Sequence, residues 1–227
     1  MRLFLILLCL LFVTPVYAEC IFIDIGHGEK DKYGGTIGAT GHHEWLYNRA
    51  IGIDLKKALE AKGHTVKIIE NAPLSERVLK IHASACTLFI SIHHDSVQPQ
   101  LDPNLYSGYS IFITNRFPER NYSFWMAWHT ANALNRNGFH PSLHHAEDID
   151  GERKTLLDKD RGIYLANFYI LRNASIPGIL LECGIIANKW EAVKLMQDVT
   201  REKIVSAIVS AVDVYFGSID RNSGKVR

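Results

Sequence analysis

The sequence predicts a single α/β domain: a mostly parallel, twisted sheet with helices on both faces. Two observations carry that expectation. Short apolar runs of strand length alternate along the chain with longer segments of helical period. A strand, helix, strand, helix succession also needs crossover connections, which set neighbouring strands parallel and lay helices over the sheet.

The elements follow in order. Residues 21–25, IFIDI, are an apolar strand that stops at Gly26-His27-Gly28. Over 48–61, Ile51, Leu55, Ala58 and Leu59 share one stripe, the mark of an amphipathic helix, and Gly63 closes it. Residues 66–69 read as a second strand, and a helix over 75–85 opens beside Pro73 and Ser75. Residues 87–93 form a third strand, 109–114 a fourth and 122–134 a helix. The stretch 139–160 is rich in histidine and acidic residues and carries no predicted element. Residues 178–183 are a buried strand, and 190–196 and 201–216 are helical.

The first residues predict an address. Arg2 precedes an unbroken apolar run over 3–13, then Thr14-Pro15-Val16-Tyr17-Ala18, the pattern of a secretory signal peptide cut after Ala18. The run falls short of the roughly 18 apolar residues of a membrane span. Lipidation of Cys20 is the alternative, opposed by Glu19 where a small residue is expected. The expected organisation is a signal peptide over 1–18, one folded domain over 19–217 and a polar tail over 218–227. Its expected place is the periplasm or the extracellular wall.

Lys and Arg total 25 against 24 Asp and Glu, a balance that argues against a nucleic-acid partner. Cys20, Cys86 and Cys183 remain after cleavage, so at most one internal bridge forms and an ordinary apolar core must hold the domain. Cys20 stands seven residues before His27, and Cys86 seven before His93. Two parallel neighbours that keep step would set the cysteines side by side, within disulfide reach. One residue of slip would turn a sulfur to the wrong face.

In open parallel sheets ligands bind at the carboxyl ends of the strands. His27 and His93 both sit there, so their imidazoles can converge. A hydrolytic zinc site takes three ligands from His, Asp or Glu and leaves a fourth position for water. Glu44, in GHHEWLYN at the threshold of the first helix, is the best third ligand. Such a site also needs a carboxylate to move the water's proton. Glu182 ends the apolar strand GILLE, where a buried carboxylate is costly without a task or a partner. On composition alone, hydrogen-bonded loop histidines, a helix-start Glu44 and an ion-paired Glu182 remain open.

These residues resemble a family: the zinc-dependent N-acetylmuramoyl-L-alanine amidases of the family-3 type, which trim peptidoglycan. IFIDIGHGEKD is similar to the family's opening strand with its first histidine ligand, His27. GATGHHEWLYN resembles the segment with the glutamate ligand, Glu44, and with Asn48 four residues on. LSERVLKIHASACTLFISIHHDS resembles the helix and strand that end in the second histidine ligand, His93. RGIYLANFYILRNASIPGILLECGIIAN resembles the closing block, whose glutamate, Glu182, is the catalytic acid/base. The four blocks run in family order over 21–188. Departures are Ile25 where proline is usual, His94 where a small residue is usual, and ECGI for a Glu-Leu-Gly-Phe-like run.

The resemblance implies one zinc per chain, held by His27, Glu44 and His93, and cleavage of the amide joining N-acetylmuramic acid to L-alanine. Some relatives carry a blocking helix between the second histidine and the final glutamate. Here 122–134 is the one predicted helix in that interval and fills an ordinary crossover, so no obligatory protein activator is expected. Two rivals stand: a zinc carboxypeptidase or endopeptidase using Arg161 or Arg172 to hold a carboxylate, and a non-catalytic wall-binding module. His94 is expected behind the site or at the surface, since successive strand residues face opposite ways. His42 and His43 read as rim residues and Cys183 as core. His144, His145, Glu147 and Asp148 read as a solvated loop, an accessory metal site or a substrate rim.

Overall fold

The computed structural model describes residues 18–29, 35–117, 119–149, 153–220 and 225–226. The predicted signal peptide lies outside them except for Ala18. Seven strands form one sheet: β1 (Cys20–Ile25), β2 (Thr65–Ile69), β3 (Leu88–Asp95), β4 (Ser110–Ile113), β5 (Thr155–Asp158), β6 (Ile163–Leu165) and β7 (Gly178–Ile185). Their order is β2-β1-β3-β7-β4-β6-β5. β1 runs parallel to both β2 and β3, β3 to β7, and β4 to β6. The β4–β7 and β5–β6 pairs are antiparallel. The sheet is therefore mostly parallel, as the alternation of elements predicts.

The two faces separate by the period-two rule of the strand. Ile21, Ile23 and Ile25 of β1 join Ile90 and Ile92 of β3 in one core, with Leu55, Met126 and Ile208. Those three belong to α1 (Glu44–Ala61), α3 (Glu119–Arg136) and α6 (Asp198–Ser218). Phe22, Phe89, Phe112 and Leu180 face the other way, into a second core with Val78, Ile81 and Ile170. There α2 (Leu74–His82) and the single-turn α4 (Tyr169–Asn173) give a thinner cover. α5 (Lys189–Leu195) follows β7 and is capped by Asn188, whose side chain accepts from the Trp190 and Glu191 N–H groups. Central strands buried on both faces explain the near-continuous apolar runs.

Several boundaries differ from expectation. α1 begins at Glu44 rather than residue 48, because Trp45, Tyr47 and Asn48 are buried ahead of the aliphatic stripe. α2 ends at His82, and Ala85 takes a left-handed φ of 56° that no helix continues through. β5, β6 and α4 have five residues or fewer and lack the length for a periodic signal. The interval between His93 and Glu182 thus holds α4 as well as α3, together with 3₁₀ turns at Pro103–Leu105 and His144–Ala146. The expected tail over 218–227 is not simply a tail: α6 reaches Ser218, and β8 (Ile219–Asp220) pairs with β9 (Lys225–Val226). Among the described residues no helix is long and apolar enough to cross a membrane.

Cys20 and Cys86 are bonded, with Cα atoms 4.4 Å apart, while Cys183 is buried and free. The registers do slip by one: Ile21 pairs with Leu88, and the Thr87 N–H donates to the Cys20 carbonyl. The bond survives the slip because Cys86 lies ahead of β3, just past the left-handed Ala85, and is not held to the strand's pleat. A bridge closing 66 residues contributes roughly 4 kcal/mol through the unfolded chain. A thiol count on denatured, unreduced protein beginning at Glu19 should return one thiol per chain; three would refute the bridge.

Candidate active site

β1 and β3 end side by side, and the chain leaving β1 turns sharply. Gly26 passes so close to β3 that a Cβ there would stand 2.4 Å from the His93 ring. His27 then adopts a left-handed φ of 63°, a conformation few non-glycine residues take. Arg77 of α2 holds it there. Its guanidinium donates to the carbonyls of Ile25 and His27, to the Ala72 carbonyl at 2.7 Å and to Asp24 Oδ1 at 2.6 Å. Ser91 Oγ donates to the other Asp24 oxygen at 2.6 Å. Arg77 and Asp24 are both almost fully buried, so losing either strands its partner's charge, a cost of about 3–5 kcal/mol.

Glu44 is the meeting point. It opens α1, where the helix's free N–H groups favour an anion, and it is only 5 % exposed. His27 Nε2 lies 3.1 Å from Oε2, and His93 Nδ1 lies 3.0 Å from Oε1. Asn48, one turn on, donates Nδ2–H to Oε1 at 3.1 Å, and the His94 backbone N–H donates to it at 3.2 Å. Burial opposes ionisation of Glu44, but the hydrogen bonds and charges of the two histidines outweigh it and hold the carboxyl well below the usual range. Gly35, at φ 73°, packs where a Cβ would meet Glu44 Oε2 at 2.5 Å and the His27 ring at 2.8 Å.

One ligand atom from each of His27, Glu44 and His93 lies within 4.8 Å of the others. Two imidazole nitrogens and one buried carboxylate match the donor set of a three-ligand zinc site. The residues present therefore fit the metal. His94 faces away from this point, as strand alternation predicts, but it is buried rather than superficial. Its Nδ1–H donates to Asn48 Oδ1 at 2.8 Å, and burial pushes its pKa down to about 3. It is a neutral support for the Asn48 amide that orients Glu44. His42 is exposed and His43 half-buried, both just ahead of α1.

Glu182 is the register partner of His93 across β3 and β7. It lines the same cleft, of about 550 Å³, as His27, His93, Leu74, Phe168 and Tyr169. Its Oε2 is buried and has no hydrogen-bond partner among the described residues. Burial, with the charges of Asp95 and Glu44 added, pushes its carboxyl well above the usual range. Two neighbouring carboxyl groups are thus driven apart, Glu44 held as the carboxylate and Glu182 given a raised affinity for a proton. That is the separation acid–base chemistry uses.

The other candidates fall as follows. Cys183 is core, 3 % exposed. Arg161 is held by Asp158 and Asn132 over the Trp128 ring, and Arg172 lies over Tyr169; neither lines the cleft. Glu147 accepts from the Tyr106 hydroxyl, and Asp148 pairs with Arg153 at the surface. His144 and His145 are not solvated: they close on Asp95. Sequence reasoning missed Arg77, Asp24 and Asp95. A charged residue inside the apolar strand IFIDI was the available signal for the first pair.

The family model described as N-acetylmuramoyl-L-alanine amidase matches residues 21–214. The chain is 28 % identical over 215 residues to the N-acetylmuramoyl-L-alanine amidase LytC of Bacillus subtilis, covering 89 % of this chain and 36 % of that protein. It is 26 % identical over 213 residues to the uncharacterized protein YqiI of Bacillus subtilis, covering 92 % and 90 %. Its fold is that of the N-acetylmuramyl-L-alanine amidase Ami1 of Mycobacterium smegmatis, with a TM-score of 0.75 at 18 % identity, over 90 % of this chain and all of that one.

The environment of Glu182 makes a prediction about stability. An unfolded glutamate loses its proton near pH 4.3, and the folded one keeps it to higher pH. Between those limits the folded state binds more protons, so stability falls as pH rises. Glu182→Gln carries no such loss. Metal-free Glu182→Gln should therefore melt above metal-free wild type near neutral pH, with the gap closing below about pH 4. Equal melting temperatures at neutral pH would contradict the assigned environment.

Proposed function

The chain belongs to the N-acetylmuramoyl-L-alanine amidase family, and we propose on that basis that it is an exported zinc hydrolase of peptidoglycan. His27 Nε2, Glu44 and His93 Nδ1 would hold the ion, and Glu182 would move the proton. The carrying observation is the convergence of two histidines and a buried carboxylate beside a second carboxyl of raised pKa. The bond cut is the amide between the lactyl group of N-acetylmuramic acid and the L-alanine of the stem peptide. Export rests on the signal-like residues 1–18 and on the Cys20–Cys86 bridge, which needs an oxidising compartment.

Zinc, when bound, lowers the pKa of a water from about 15.7 towards 7 and polarises the amide carbonyl. Glu182 accepts the water's proton as the oxygen attacks the amide carbon. It then delivers that proton to the nitrogen as the carbon–nitrogen bond breaks, because one group serves both directions of transfer. Glu182 Oε2 is itself buried away from bulk water. Leu74, Phe168 and Tyr169 give the substrate an apolar surface to lie on. Asn48 and the His94 N–H fix the orientation of Glu44, and Arg77 fixes the backbone of His27.

Mass spectrometry of purified muropeptides treated with the zinc-loaded protein should show free stem peptide beginning with L-alanine and its complementary glycan. Products shortened inside the stem would favour a peptidase instead, and intact substrate would favour a binding module. Glu182→Gln should keep the fold and lose activity by about 10²–10⁴-fold; a loss under about tenfold would assign the proton to another group. Activity is expected without a protein partner, and activity that starts only when a partner is added would overturn that part.

A further inference from the structure

Among the described residues a second group brings three metal-ligating atoms within 4.8 Å of one another: Asp95, His144 and His145. Asp95 closes β3, beyond the irregularity that breaks its pairing with β7 after His93. The two histidines come from the 3₁₀ turn His144–Ala146, inside the stretch where the sequence offered no element. His145 Nε2 lies 2.6 Å from Asp95 Oδ2, and His144 Nε2 lies 3.2 Å from the same oxygen. The three side chains are only 12 %, 9 % and 12 % exposed.

Hydrogen bonding accounts for only part of this arrangement. Both Nε2 atoms aim at a single carboxylate oxygen, and His144 Nε2, buried and 3.2 Å from it, is poorly angled for a hydrogen bond to it or to any other described residue. The opposite nitrogen, His144 Nδ1, is meanwhile engaged by Ser142 Oγ at 2.8 Å. Metal-bound histidines are characteristically held in this way, with the far nitrogen fixed to an oxygen and the near lone pair free for the ion. Phe112 and Tyr164 pack edge-on against His145 and leave the ring little freedom. His144 also lines a separate cleft of about 430 Å³ with Tyr106 and Glu147, which gives an ion a way in.

We propose that Asp95, His144 and His145 form a second divalent-cation site, separate from His27, Glu44 and His93. Two imidazole nitrogens and one carboxylate select a zinc-like ion over magnesium or calcium, which favour all-oxygen sites. Three protein ligands leave a position open towards the cleft. The site goes beyond the hydrolase reading and does not depend on it, since none of its three residues is a candidate ligand of the first.

Equilibrium dialysis of metal-stripped protein against zinc, with metal counted by mass spectrometry, tests it. Wild type should hold about two zinc ions per chain. The double variant His144→Ala, His145→Ala should lose one, and the double variant His27→Ala, His93→Ala should lose the other. One ion that persists in the first variant and vanishes in the second would overturn the second site and leave the hydrolase site standing. One ion with the reverse pattern would support the second site and refute the first. His144→Gln, which keeps a polar group in the buried position, gives a second route should the double variant fail to fold. It should also lose one ion, and full retention would again overturn the proposal.

Discussion

A buried carboxylate facing two imidazoles is the constraint on which the rest of this structure depends. Glu44 has few stable options: dehydrated at the head of α1, it must be paired, hydrogen-bonded or protonated. The chain meets that demand from three elements at once. α1 supplies Asn48, β3 supplies the His94 N–H and the His93 ring, and the loop after β1 supplies His27. A carboxylate fixed by donors on one side is pre-organised to serve a cation on the other. The same contacts tie the first helix to the two central strands, so site and fold share interactions.

Close approach of backbone is what lets those elements meet. Gly26 gives the His93 ring room against the end of β1, and Gly35 lets a loop lie on Glu44 and His27. Asp24 and Arg77 then act below the site as a buried brace, turning the strand end so that His27 reaches across. Buried ion pairs contribute little net stability against apolar replacements. Geometry is the better reason for this one, because Arg77 binds two carbonyls that flank Gly26.

The core strands were legible because their apolar runs are nearly continuous, and strand-end placement alone brought His27 and His93 together. Glu44 and Glu182 could be read as candidates from chemistry and position. The family resemblance supplied their roles. What could not be read depends on tertiary contact. α1 starts earlier than its aliphatic stripe because aromatic and polar residues are buried there. β5 and β6 are short strands that extend the sheet beyond β4, with β5 at its edge, and they are held by that pairing rather than by any period of their own. Arg77 looks like any helix arginine in the sequence, and Asp95 like a loop acid. Only the fold places the first under His27 and the second against a histidine pair fifty residues away.

The central claim is that His27, Glu44 and His93 converge on one ion beside Glu182. Anomalous X-ray scattering at the zinc edge, from crystals of zinc-loaded protein, tests it most directly. The account predicts a peak bonded to His27 Nε2, a Glu44 carboxylate oxygen and His93 Nδ1, with the Glu182 carboxyl next to it. Loaded crystals with no peak between those three residues, or with a peak held by His94 in place of His93, would contradict it.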